Sequence, residues 1–253
     1  MQLYKKTVWI IALCISTSAI KSQTDMRSFS HKIIAGYNIG ATLPNNLSRE
    51  IRSIDAYWPQ FTPQLGYNVS YRFAGQWSAE SGIALDLKGM GVRDKVKYMY
   101  TDVNMDGNNI KGYFTGRNET EIKITYVTIP IRVSYHLNET WSLKLGVYAS
   151  YRSSAEFSGT VWDGYLRKTE DKDILNSELI NIGEKDVAVF DFGKDLRTFD
   201  FGISMGFEHC FNRKFGVYTE ATYSLTPIFP KSFTGIDMKM RNIYITAGMT
   251  YKI

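Results

Sequence analysis

Few residues of this 253-residue chain are spaced for chemistry, and the densest group is DVNMDGNN. Asp102, Asn104 and Asp106 occupy positions one, three and five of a calcium loop, with Gly107 at six, where glycine permits the sharp turn. Position twelve should be a bidentate Glu and is Tyr113, so the segment reads as a polar turn capping a long hairpin, and no metal is assigned. The histidines, His31, His136 and His209, include no second histidine at metal-ligand spacing. Nucleophilic catalysis needs a base against a hydroxyl or thiol, a third group orienting the base, and an oxyanion site. Here His136 follows Ser134 by two residues and His209 stands between Glu208 and Cys210, with no oxyanion element nearby. A glycine-rich phosphate loop and a nucleophile elbow are both missing from the sequence. Catalytic residues and cofactors are therefore expected to be none.

The other charged residues are periodic instead of clustered. In VTIPIRVSYHL, Val127, Ile129, Ile131, Val133, Tyr135 and Leu137 share one side of a strand, and Arg132, Ser134 and His136 share the other. Carried through the chain, the polar parity collects Arg72, Glu80, Asp86, Lys88, Arg132, Lys144, Arg152, Asp200, Glu208 and Glu220, interspersed with Gly and Ser. Opposite charges in similar number suit a narrow, side-chain-filled interior, because charges withdrawn from water need partners. The greasy parity is then the outside. Pro130 lacks an N–H for the ladder, and Ile122, Ile124 and Tyr126 are apolar on the parity that turns polar afterwards, which together predict a bulge near Pro130.

Eight amphipathic runs must position these residues: 31–40, 61–73, 77–101, 113–137, 141–165, 187–211, 215–229 and 242–253. Three-residue turns (74–76, 138–140, 212–214) alternate with long polar connectors (41–60, 102–112, 166–186, 230–241). An up-and-down meander with this alternation puts all short turns and both termini at one end, the asymmetry of outer-membrane barrels. Phe73, Trp77, Tyr135, Trp141, Phe211, Phe215 and Tyr251 bracket the short turns on the greasy parity, as an interfacial aromatic girdle would. Within the long connectors, 46–59 is expected to form a short helix ending at Tyr57 and Trp58, and 166–194 a helix on the rim. Strands of about 25 residues exceed the ~9–11 needed to cross a bilayer, so their far ends, with Lys95, Lys97, Arg117 and Glu119, should stand above it.

Lys5 and Lys6 followed by TVWIIALCI read as a secretory signal peptide, residues 1–22, preceding a single domain at 23–253. Without residues 1–22 the net charge of +5 loses three lysines and falls to +2, so the basic isoelectric point gives no ground for nucleic acid as a partner. Only Cys210 remains in that segment, and an intrachain disulfide is excluded.

YVTIPIRVSYHL, the following strand SLKLGVYAS and the terminal NIYITAGMTYKI resemble the Bacteroidota outer-membrane β-barrel proteins of the porin-family or PorT-like type. The resemblance implies an all-β, eight-stranded antiparallel up-and-down transmembrane barrel in the outer membrane, with short periplasmic turns and long extracellular loops. Thr246, Gly248, Tyr251 and Ile253 resemble the C-terminal signal read by the barrel-assembly machinery, with Ile253 where Phe is usual. The expected partners are the lipid bilayer, that machinery, and an extracellular ligand or protein at the loops. The expected role is structural or surface-interactive; a narrow small-solute channel, a lipid-modifying enzyme and a soluble lipocalin-like binder stay open as alternatives.

Overall fold

The computed structural model of the protein describes residues 29–44, 49–105, 107–168, 177–184, 186–236 and 238–253. The signal segment, Asp106 and residues 169–176 of the expected rim helix lie outside them. Eleven strands follow in order: β1 Phe29–Pro44, β2 Ile51–Pro59, β3 Pro63–Ala74, β4 Trp77–Met105, β5 Asn108–His136, β6 Trp141–Lys168, β7 Glu178–Ile182, β8 Ala188–Asp191, β9 Phe199–Cys210, β10 Phe215–Ser224 and β11 Met240–Lys252. Every pairing is antiparallel, and β1–β3–β4–β5–β6–β9–β10–β11 returns to β1 as a ring of eight strands. Closure leaves the ring without a free edge, which matters in lipid, where an unpaired backbone group finds no water.

The remaining three strands thicken one end. β2 runs along β4 from Pro59↔Met90 to Ile51↔Val96. The edge of β6 carries β9 up to Tyr151, then β8 at 158–161, then β7 at 164–168. Several expectations are corrected here. Of the helix expected at 46–59, residues 46–48 lie outside the described residues and 51–59 is β2, because Ile51, Ile54, Tyr57 and Trp58 pair with β4 instead of closing their own backbone bonds. ELINI in the expected rim helix is β7. The 102–112 loop is a continuation of β4 and β5 to Met105↔Asn108, closed by a tight turn in which Gly107 takes φ 83°. The single run expected at 187–211 is divided into β8, a 3₁₀ turn at Gly193–Asp195 and β9.

Outside, the ring is apolar. Ile39, Leu65, Ile83, Ile129, Ile131, Leu145, Val147, Ile203, Met205, Ile245 and Met249 are each roughly half exposed. Such a continuous apolar surface marks a lipid or protein contact. From Trp141 to Tyr151 is ten steps of β6, about 33 Å, which at a tilt near 40° rises about 25 Å, the height of an outer-membrane apolar band.

Inside, there are two zones. Beside the short turns the interior is polar, with Glu80, Arg132, Lys144, Glu208 and Glu220 all buried. Beyond Tyr126 and Phe157 it becomes an apolar core of Met90, Val96, Met99, Val103, Phe114, Ile122, Phe157, Val161, Leu166, Phe190 and Phe229. The apolar-inside arrangement of a soluble barrel therefore exists, but only in the half that stands clear of the belt.

This division explains the composition change in β5. Its even-numbered residues face inward without interruption from Ile122 to Ser134, so no bulge lies at Pro130 and the parity never changes. The interior changes chemistry instead. At Pro130 the β4–β5 ladder opens between Ser81↔Ile131 and Ala84↔Thr128 with its register kept, and Ser81 Oγ donates to the Pro130 carbonyl at 2.8 Å. The bulge is on the partner strand β6, at Ser153, between Tyr126↔Arg152 and Thr125↔Ser154.

Candidate functional site

Six charged side chains from β1, β4, β5, β6, β9 and β10 form one chain of ion pairs across the lower interior. Lys32 reaches Glu208 at 2.7 Å; Glu208 and Glu80 share Lys144 at 2.8 Å each; Glu80 reaches Arg132 at 3.2 Å, and Arg132 reaches Glu220 at 2.6 Å. Three cations meet three carboxylates. Arg132 holds both Glu220 oxygens, through Nε and Nη2 at 2.6 Å each, the bidentate geometry that guanidinium favours. Burial of such ions is tolerated only when each is paired and hydrogen-bonded. Here Thr250 Oγ1 adds a donor to Glu208 at 3.1 Å, and Asn68 Nδ2 one to Glu80 at 3.4 Å. The plug leaves a void of about 10 Å³ among Asn68, Arg132, Lys144, Tyr218 and Glu220, the space of about one water.

The next layer holds Asp86, Lys88 and Asp200. Lys88 lies 3.6 Å from Asp86 and over the rings of Tyr148, Tyr126 and Tyr244 at 4.9, 5.6 and 5.7 Å, so aromatic faces supply the rest of its solvation. Asn38 and Gln64 donate to Asp86, while Ser224 and Thr226 donate to Asp200. Inward glycines make room for interior tyrosines: a Cβ on Gly202 would fall 2.5 Å from the Tyr148 ring, and one on Gly248 2.6 Å from Tyr218.

Eight of the ten charges expected in the lumen thus enter these two layers. Arg152 does not: it sits at the β6 bulge and donates Nη1 to the Gly193 carbonyl at 3.0 Å, in the upper zone. Arg72, near the short-turn end of β3, is partly buried and takes part in none of these ion pairs. Lys32 was missed, although in HKIIAGYNIG it shares a parity with Asn38, which also faces inward.

The expected girdle residues sit at the short-turn end and pair across strands: Trp77 with Tyr135 at 4.8 Å, Phe215 with Tyr251 at 5.1 Å, while Phe73 and Phe211 are exposed. Trp141 packs on His209 at 4.3 Å. That contact turns His209 outward, away from the inward Glu208. His136 bonds Ser78 Oγ at 2.8 Å across the β4–β5 pair, not Ser134, so neither histidine assembles the nucleophilic grouping considered from the sequence. Of the terminal strand, Thr246 donates inward to Asn38 at 2.5 Å, Gly248 faces Tyr218, and Ile253 is 70% exposed. Asn104 accepts from Gly107 N–H at 3.2 Å and Asp102 lies 4.0 Å from Lys111, which ties both to the hairpin.

Opposite the short turns, the β4–β5 hairpin, β8, the 3₁₀ turn and residues 226–235 surround a cleft of about 1050 Å³. Arg152, Lys194 and Arg197 line it together with Asp102, Asp191 and Asp195 over a floor that includes Phe190, Phe192 and Phe233. Stacked rings stiffen that floor: Phe229 on Phe233 at 4.3 Å and Phe190 on Phe192 at 5.4 Å. Arg197 is fixed by the Pro227 and Phe229 carbonyls, whereas Nε of Arg152 has no partner among the described residues. The sequence offered no signal for this cleft, since its lining comes from four segments distant in the chain.

With its apolar exterior, aromatic residues beside the short turns and ion-paired interior, the chain is an integral β-barrel protein of the outer membrane, in contact with its lipid bilayer. The chain belongs to the outer membrane protein beta-barrel domain family, whose model matches residues 21–230. No curated protein sequence matches it. Among solved structures, the attachment invasion locus protein Ail of Yersinia pestis, in complex with the heparin analogue sucrose octasulfate, is 11% identical over 89% of this chain and 97% of its own, with a TM-score of 0.37. OprG from Pseudomonas aeruginosa is 14% identical over 90% of this chain and 97% of its own, with a TM-score of 0.39.

Proposed function

We propose that the chain is an eight-stranded, up-and-down transmembrane barrel of the Bacteroidota porin-family or PorT-like kind, with its short turns in the periplasm, acting as a surface-interaction protein. The observation that carries this reading is the ion-paired plug beneath an open cleft. A filled lumen suits display better than conduction, and loops held by a rigid sheet are where recognition usually sits. The cleft offers cations, carboxylates and aromatic faces to an extracellular ligand or protein. Its role is non-catalytic on this reading, and the terminal strand, with Thr246, Gly248, Tyr251 and Ile253, is the segment presented to the barrel-assembly machinery.

Two measurements test it on the full chain. In planar bilayers the purified protein should give no large, steady conductance; a stable open pore would refute the plug's role. A cysteine placed at Ser232 should react with an impermeant maleimide on intact cells, and one at Glu139, in the β5–β6 turn, should not. The reverse pattern would invert the orientation.

A further inference from the structure

A second, smaller cavity lies to one side of the apolar core, apart from the mouth cleft. About 80 Å³ in volume, it is walled by Ile51, Ile54, Met90, Val92, Met99 and Met240. Its rim includes Leu43 and Ile54, both exposed, so the slot reaches the outer surface between the tops of β1 and β2. Five buried polar residues interrupt this apolar lining, Thr42, Thr120 and three that matter most here: Asp94 on β4 (6% exposed), Asn118 opposite it on β5 (4%), and Thr101 (1%).

Their hydrogen bonds are incomplete. Both Asn118 amide hydrogens are used, Nδ2 donating to Asp94 Oδ1 at 2.9 Å and to Thr120 Oγ1 at 3.1 Å. Asn118 Oδ1 and Thr101 Oγ1 are buried with no partner among the described residues. The Asp94 carboxylate enters no ion pair among the described residues. On the outer face Arg93 pairs with Glu119 and Arg117 with Asp163, the adjacent Lys95 is exposed, and the β2 group that acts on Asp94 is another carboxylate, Asp55. A buried carboxylate without an ion-pair partner and two unpartnered oxygens in an apolar pocket call for a donor that is also a cation.

We propose that this slot binds a primary ammonium carried on an aliphatic chain, the head donating to Asp94, Asn118 Oδ1 and Thr101 Oγ1, and the chain lying along Met90, Met99 and Ile54 toward the rim. An ammonium has three donors for these three acceptors. Burial and Asp55 raise the Asp94 carboxyl to about 6, so the charged form that the head requires dominates above that pH.

Isothermal titration of the full chain in phosphatidylcholine nanodiscs tests this with n-hexylammonium, 1-hexanol and calcium chloride as separate probes. At pH 8 hexylammonium should bind at least tenfold tighter than hexanol and calcium should not compete. The advantage should vanish at pH 5 and in Asp94→Asn, and Thr101→Val should weaken the amine several-fold. Equal binding of amine and alcohol, unchanged amine binding in Asp94→Asn, displacement by calcium, or no binding to the folded wild type would each overturn the proposal. Should Asp94→Asn fail to fold, the pH 8 to pH 5 comparison on the wild type decides alone.

Discussion

Arg132 is the most informative single residue of the plug, because its removal strands a defined partner. It makes three hydrogen bonds, two to Glu220 at 2.6 Å and one to Glu80 at 3.2 Å. In Arg132→Met, Glu80 keeps Lys144 at 2.8 Å, but Glu220, 5% exposed, loses its only cation among the described residues. An uncompensated buried carboxylate of this kind costs about 3–5 kcal/mol. The double variant Arg132→Met/Glu220→Gln removes one charge of each sign and leaves Lys32–Glu208–Lys144–Glu80 intact. The Arg132–Glu220 pair is then removed from both sides and, of the charges that remain, only Glu80 loses a contact, at about 1 kcal/mol, so the second substitution should restore about 2–4 kcal/mol. Urea unfolding of the refolded protein in detergent, followed by tryptophan fluorescence, measures both. If the double variant is no more stable than Arg132→Met, the plug is not held by charge balance and the reasoning fails.

Two further outcomes follow from the zones. Ile131, 62% exposed on the apolar belt, faces lipid, so Ile131→Arg should cost about 2–4 kcal/mol in bilayer refolding, whereas Glu139→Arg in the exposed β5–β6 turn should change stability by less than about 0.5 kcal/mol. Asp94, beyond the belt, has a carboxyl raised to about 6 in the folded state, so the folded protein binds that proton more tightly than the unfolded chain. Its contribution is complete below about pH 4 and is lost as pH rises through about 6, a change of about 3 kcal/mol that Asp94→Asn should abolish; a pH profile of unfolding unaltered by the substitution would contradict the assignment.

Much of the ring was legible because side-chain direction in a strand is local. Counting by two through VTIPIRVSYHL places Ile129, Ile131 and Val133 outward and Arg132 and Ser134 inward, and the structure keeps that assignment. The aromatic pairs at the short turns were readable for the same reason. The misread segments are those where local pattern competes with a neighbour. Residues 46–59 carry a spacing compatible with a helix, yet the free edge of β4 captures 51–59 as β2. Composition alone also misread the apolar-to-polar change along β5 as a change of direction when it records a change of interior, although a bulge does lie nearby, on β6 opposite Thr125 and Tyr126.

Alternation along each strand was enough to determine which side chains face lipid and which face the interior, because period two is set by the backbone of the strand itself. Which interior charges meet was decided only by ring closure. Arg132 and Glu220 are 88 residues apart on β5 and β10, which never pair as strands, and Lys32 and Glu208 join β1 to β9 in the same way. Arg152 shares the polar parity of Lys144 yet stands above the plug, because its height along β6 and the bulge at Ser153 place it beside Gly193. The mouth cleft and the slot at Asp94 likewise need segments far apart in sequence to be brought to one height, and height is a property of register and closure that no single strand contains.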